Sequence, residues 1–245
     1  ISDRMNNVNI TEYRLINLDT LAPAIDFSNG TEANMTAFNR SFILINISTA
    51  DTNFNNLSFF LYNGSNGALL NHTNYTTQNF TNFTSLGDGV YLYNVTAHDK
   101  ANNINATARR NITLDSRAPS IAFEATTAAN NSIVNRSFIL INVTVTETNL
   151  ANITFSLYYQ NNLSLINETN YTSLTSFINF TGLTDTTYIY NVTVRDRANL
   201  QNRTELRTIS TDATAPRILA IDPANNSAGI SIITNFTINF SENIT

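Results

Sequence analysis

The chain has 245 residues, a net charge of −5 and 42% hydrophobic content, yet only 13% of its side chains are charged. It holds no Cys and no Trp, one lysine (Lys100) and no basic run. That excludes disulfide and thiol chemistry and a Lys–Asn isopeptide staple in every repeat, and argues against nucleic acid or an anionic membrane as partner. No apolar stretch approaches the roughly 20 residues of a membrane span, no membrane contact by this segment is expected, and no signal peptide opens the chain.

In chain order, the first element already belongs to a pattern. Asp3–Asn9 returns as Asp99–Asn105, and Leu18-Asp19 as Leu114-Asp115. Arg40-Ser-Phe-Ile-Leu-Ile-Asn46 returns as Arg136–Asn142, and Asn71-His-Thr-Asn-Tyr-Thr76 as Asn167–Thr172. The junction Leu18–Pro23 recurs as Leu114–Pro119 and, degenerate, as Thr211–Pro216. A lag of 96 residues is a whole small domain, so the chain reads as a string of beads. Residues 1–22 match the end of a repeat and are expected to be the terminal strand of a preceding bead, or a strand donated to another subunit. Residues 23–118 and 119–215 form two full repeats, and 216–245 start a further one. A window from a longer array is the favoured reading, because two strands at the far end would not be completed by one donated strand.

Within each repeat the hydrophobic period is two. Ile43, Ile45 and Ile47 alternate with Leu44, Asn46 and Ser48, and Tyr91, Tyr93, Val95 and Ala97 alternate with Leu92, Asn94, Thr96 and His98. Turn residues separate the runs at 63–67, 87–89 and 99–103. Strands are predicted near 23–27, 41–49, 56–63, 68–74, 78–85, 89–98 and 104–114. In the second repeat they fall near 119–123, 137–146, 151–160, 163–170, 175–182, 187–196 and 202–210, with no helix. Seven short strands with spaced turns describe a β-sandwich.

The run Leu86-Gly-Asp-Gly-Val-Tyr-Leu-Tyr-Asn-Val-Thr-Ala-His-Asp99, repeated at 183–196, resembles the penultimate-strand signature of immunoglobulin-like repeats in prokaryotic surface proteins. The resemblance implies an all-β fold of tandem immunoglobulin-like β-sandwiches. It also makes Tyr91 and Tyr188 corner tyrosines, ring in the core and hydroxyl bonded to nearby backbone. Asp222–Glu242 is similar to the opening of an Ig-like domain found in S-layer and other prokaryotic envelope proteins, which implies an envelope setting rather than a chemistry.

Asparagine occurs 41 times, Ser plus Thr 54 times, and Asn-x-Ser/Thr 28 times, never with Pro in the middle. Random placement predicts about nine such N-glycosylation acceptor triplets. The acceptors are Asn9 in the first segment. The first repeat carries Asn29, Asn34, Asn39, Asn46, Asn56, Asn63, Asn71, Asn74, Asn79, Asn82, Asn94, Asn105 and Asn111. The second carries Asn130, Asn135, Asn142, Asn152, Asn162, Asn167, Asn170, Asn179, Asn191 and Asn202, and the last segment Asn225, Asn235, Asn239 and Asn243. Alternating Asn and Thr on a wet strand face would generate the reversed triplet equally often, yet Ser/Thr-x-Asn occurs three times. Direction is what an oligosaccharyltransferase reads, so covalent N-glycans are the expected partners. Asn46, Asn94, Asn142 and Asn191 should face solvent, and bare sites should lie in crowded pairs such as Asn71 and Asn74 or at assembly contacts.

Catalytic chemistry is not found. The histidines, His72 and His98, are replaced by Glu168 and Arg195 in the other repeat, and no phosphate loop, nucleophile elbow or His-x-x-x-His pair occurs. Calcium is the one cofactor candidate: Asp19, Asp115 and Asp212 recur at the bead junctions and Asp3, Asp99 and Asp196 at the last hairpin, with Asp99, Asp115, Asp196 and Asp212 the candidate ligands. The simpler reading is that Asp and Asn cap these turns, since an oxygen-only site needs six or more ligands. Together these features predict a non-enzymatic, heavily N-glycosylated extracellular protein, archaeal in style, that builds a surface fibre, stalk or envelope layer. The sheets would associate with other copies or further repeats, in part by strand donation. The alternative is an adhesin or receptor-binding protein for which these repeats are the spacer.

Overall fold

The computed structural model describes residues 1–244 except Asn17 and Ile233. No helix occurs among the described residues. The chain divides into two compact units, residues 1–117 with 197–199 and residues 118–196 with 200–245.

In the first unit nine strands form one sandwich. β1 (Ala24–Phe27), β3 (Ile43–Ala50) and β6 (Phe80–Phe83) make an antiparallel sheet in the order β1-β3-β6. β2 (Thr36–Phe38), β4 (Phe54–Asn63), β5 (Leu69–Tyr75), β7 (Gly89–Asp99) and β9 (Arg110–Leu114) make the other, in the order β2-β9-β7-β4-β5, with β8 (Ile104–Ala106) also on β7. The second unit repeats the topology. β10 (Ser120–Phe123), β12 (Phe138–Thr146) and β15 (Phe177–Thr181) form its small sheet. β11 (Ser132–Val134), β13 (Leu150–Tyr159), β14 (Leu165–Tyr171), β16 (Thr186–Asp196), β17 (Gln201–Arg203) and β18 (Arg207–Thr211) form its large one. β19 (Ile218–Asp222) pairs with β20 (Thr237–Phe240) as a separate antiparallel hairpin.

Period-two alternation puts the apolar set inward. Ile43, Ile45, Ile47, Leu57, Phe59, Leu61, Tyr93, Val95, Ala97, Ile112 and Leu114 form the first core. Ile139, Ile141, Val143, Phe155, Tyr190, Val192, Val194 and Ile209 take corresponding roles in the second. Burial of each large side chain contributes about 1.5–3 kcal/mol. Each core is closed by the same device. Tyr93 packs edge-on against Phe27 at 5.6 Å, Arg110 lies 4.1 Å over that Phe27 ring, and Tyr93 and Arg110 both donate to the Glu32 carbonyl. Tyr190, Phe123, Arg207 and the Ala128 carbonyl repeat it.

Two elements differ from the sequence expectation. The run 104–114 is two strands, because Thr107 steps out of line: its N–H donates to the Val95 carbonyl and its Oγ1 accepts from the Val95 N–H. A short strand unpredicted by period, β2, lies parallel to β9 in the first sandwich, as β11 does to β18 in the second. Three residues show no readable alternation, and it is tertiary pairing that makes them strands.

At the start of the chain a turn forms alone. Asp3 Oδ1 accepts from the Met5 and Asn7 N–H groups, as Asp99 Oδ1 does from Ala101 and Asn103. Beyond it, residues 9–23 carry no strand among the described residues. Ile16 and Leu18 are 75% and 91% exposed, whereas Ile112 and Leu114, 96 residues on, are buried.

Candidate glycosylation surface and acidic clusters

The strand pleat decides what each acceptor asparagine meets. None of the 28 is buried. Asn46, Asn56, Asn63, Asn94, Asn111, Asn142, Asn152 and Asn191 are half-buried, and the rest are exposed. β5 and β14, which carry Asn71, Asn74, Asn167 and Asn170, are edge strands whose faces are largely open to water. An unpaired edge is where a second sheet would add, so bulky substituents there oppose aggregation.

Asn46 does lie opposite Ile45 and Ile47, but its amide is not in open water. Its Nδ2 donates to the Asn29 carbonyl at 3.1 Å beneath the 28–31 loop, and a Cβ on Gly30 would come within 2.5 Å of it. Asn142 Nδ2 likewise donates to Thr126 Oγ1 at 2.8 Å. The expectation of plain solvent exposure for these two is corrected accordingly. Alternation reports the face of a strand, not the loop that folds back over it.

Within the first unit three acidic side chains gather at one place. In the first unit Asp19, Asp51 and Asp99 bring carboxylate oxygens within 4.8 Å of one another. Amide donors already hold them. Asn53 Nδ2 donates to Asp19 at 2.6 Å, Asn103 Nδ2 donates to Asp99 at 2.7 Å, and the Leu21 N–H donates to Asp19. The Asn53 side-chain bond, then the Leu21 backbone bond, pull the Asp19 carboxyl below its ordinary range. Asp51 is the member that sequence reasoning missed; its signal was Glu147, 96 residues on, whose carboxylate accepts from the Asn149 N–H as Asp51 does from Asn53. Asp115 and Asp196 are buried, Asp196 Oδ1 accepting from the Leu200 N–H, while Asp212 is exposed. The predicted quartet Asp99, Asp115, Asp196 and Asp212 therefore mixes buried and exposed positions. The histidines stay on strand surfaces: His72 stacks on Phe60 at 4.5 Å, and His98 meets Thr96 Oγ1 at 3.3 Å.

The penultimate strands carry the two tyrosines singled out earlier. Tyr91 donates its hydroxyl to the Gly87 carbonyl and Tyr188 to the Thr184 carbonyl, both at 2.9 Å and both four residues upstream. Among solved structures, a marsupial T cell receptor matches with TM-score 0.50 and 7% identity, covering 80% of this chain and 76% of that one. Both sandwiches are immunoglobulin-like. Domains A168–A170 of titin match at TM-score 0.45 and 13% identity, over 78% of this chain and 67% of that one. A tetra-tandem repeat from the extending region of a large adhesion protein matches at TM-score 0.37 and 15% identity, over 82% of this chain and 53% of that one. No family model and no curated protein sequence matches the chain. Among the described residues no helix is long and apolar enough to cross a membrane.

Proposed function

We propose that this chain is a stretch of a heavily N-glycosylated extracellular surface protein, S-layer-like and archaeal in style, whose tandem Ig-like sandwiches build a fibre, stalk or envelope layer. The observation that carries the reading is directional: Asn-x-Ser/Thr occurs 28 times against three for its reverse, and none of those asparagines is buried. A sugar cannot be buried in a close-packed core, so selection for glycans and selection for exposed asparagine coincide. Sugars also account for solubility at 13% charged residues, a load ordinarily carried by Lys and Glu. Residues 1–22 complete the proposal. Ile16 and Leu18 occupy the repeat positions of the buried Ile112 and Leu114, and so fit a sheet supplied by another bead or another copy.

Glycopeptide mass spectrometry of native material tests this, with sugar expected on a majority of the 28 sites. Unmodified asparagine at most of them would leave only an asparagine-rich β array. Electron microscopy of the same material separates an ordered lattice or fibre, expected here, from the isolated flexible threads of an adhesin spacer.

A further inference from the structure

Two sequons at one place in both sandwiches are engaged by the fold itself. Asn105, on β8, donates Nδ2–H to the Pro23 carbonyl at 3.0 Å and accepts from the Ala106 N–H at Oδ1. Asn202, on β17, does the same toward Pro119 at 3.1 Å and Arg203. Both main partners are backbone carbonyls, and of an amide's two ends only the NH2 can donate to a carbonyl, so the identity of the engaged atom is set by chemistry. The hydroxyls of the same two triplets are also engaged: Thr107 Oγ1 accepts from the Val95 N–H and Thr204 Oγ1 from Val192, each at 3.0 Å. Asparagine and threonine thus both have a structural reason to stand there, fastening the strand after the last hairpin to the residue that opens the sandwich.

Asn34 and Asn130 show the opposite arrangement. Their Oδ1 atoms accept from the Asn111 and Thr208 N–H groups at 2.7 and 2.8 Å, which only oxygen can do. Nδ2 is therefore turned away from that bond, on exposed residues. Asn63 and Asn162 hold the Ser65 and Ser164 N–H groups in the same sense. A comparison comes from asparagines outside any sequon. Asn53 and Asn103 are strong side-chain donors to Asp19 and Asp99, and two residues beyond them stand Asn55 and Asn105 rather than Ser or Thr.

We propose that the acceptors divide by which amide atom the fold holds: Asn34, Asn130, Asn63 and Asn162 carry glycans, while Asn105 and Asn202 are structural and stay bare, as do Asn46 and Asn79, whose Nδ2 atoms donate to the Asn29 and Ile47 carbonyls. The inference rests on the glycoprotein reading above. In the transfer, Nδ2 loses one proton to a base of the transferase and bonds to the anomeric carbon of a glycosyl phosphate donor. The anomeric C–O bond breaks, and the phosphate leaves with the electron pair. An outward Nδ2 offers that approach; one seated on a backbone carbonyl does not.

Two measurements test the division. Site-resolved glycopeptide analysis of native material should find sugar at Asn34, Asn130, Asn63 and Asn162 and unmodified Asn105 and Asn202. Sugar at Asn105 and Asn202 would overturn the division while leaving the glycoprotein reading intact; no sugar anywhere would remove that reading, and the division with it. In the unglycosylated 245-residue chain, N105D or N202D puts an oxygen against a carbonyl oxygen and should lower the thermal midpoint by about 4 °C or more. N34D and N130D keep their acceptor oxygen and should leave it within about 1 °C. Equal effects of the two pairs would overturn the inward-nitrogen assignment.

Discussion

A tyrosine hydroxyl held four residues upstream links a turn to the core at one atom. Tyr188 is buried and its bond to Thr184 is partly shielded, whereas the Tyr91 bond to Gly87 is exposed to water. Loss of a typical hydrogen bond costs about 0.5–1.5 kcal/mol, and more where the orphaned carbonyl is dry. Tyr188→Phe should therefore destabilise its sandwich by about 1 kcal/mol, and Tyr91→Phe by less, in denaturant unfolding; the reverse order would contradict the packing. The other tyrosine pair responds to pH. Burial pushes the Tyr93 and Tyr190 phenols above their ordinary value, against the lowering influence of Arg110 and Arg207. With folded values raised, the stability they contribute is complete below about pH 10 and is lost as pH rises through the folded values. Phenolate absorbance should show Tyr93 and Tyr190 ionising only together with alkaline unfolding. Ionisation of Tyr93 and Tyr190 near pH 10, with the fold intact, would show that burial does not govern them.

Between strands, close approach decides which residues the chain tolerates. A Cβ on Gly64 would meet the Val90 side chain at 2.4 Å and its carbonyl oxygen at 2.7 Å, because the turn after β4 donates the Gly64 N–H to Val90. A Cβ on Gly87 would meet nothing within 4 Å. Gly64→Ala should lower the unfolding midpoint by several degrees and Gly87→Ala should not; comparable midpoints would mean that the turn shifts freely. The acidic cluster ties three segments through amide donors rather than through bare carboxylates, so chelator is expected to leave the midpoint of the first sandwich unchanged. A calcium-dependent rise of several degrees would reinstate a bound cation by mass action. Strands with long apolar alternation, such as 43–49 and 89–98, were legible in sequence because burial on one face writes a period of two. β2 was not, since three residues hold no period, nor was the split of 104–114, which depends on where Thr107 finds Val95. Among the candidate sites, exposure followed from the strand face. The engagement of the Asn46 amide did not, because its partner arrives from a loop 17 residues away.

At the scale of the whole molecule the repeat makes each bead a copy of a solved packing problem, and the segment ahead of the first bead leaves its apolar residues uncovered. Residues 9–18 carry the pattern of 105–114, whose Ile112 and Leu114 are buried against β7, but here Ile16 and Leu18 face water. Burying such a pair contributes about 1.5–3 kcal/mol per side chain, and pairing the strand satisfies a row of backbone N–H and C=O groups as well. Both terms favour docking onto a sheet wherever one is offered. Hydrogen exchange reads the difference directly, because an amide outside a ladder exchanges through local openings that cost almost nothing. In the isolated 245-residue chain the amides of residues 9–18 should exchange as fast as an unstructured peptide, while those of 89–98 are protected. In native assembled material residues 9–18 should become protected to a degree comparable with 110–114. Fast exchange of this segment in the assembled state would mean that no sheet receives it, and that Ile16 and Leu18 are exposed for a reason other than strand addition.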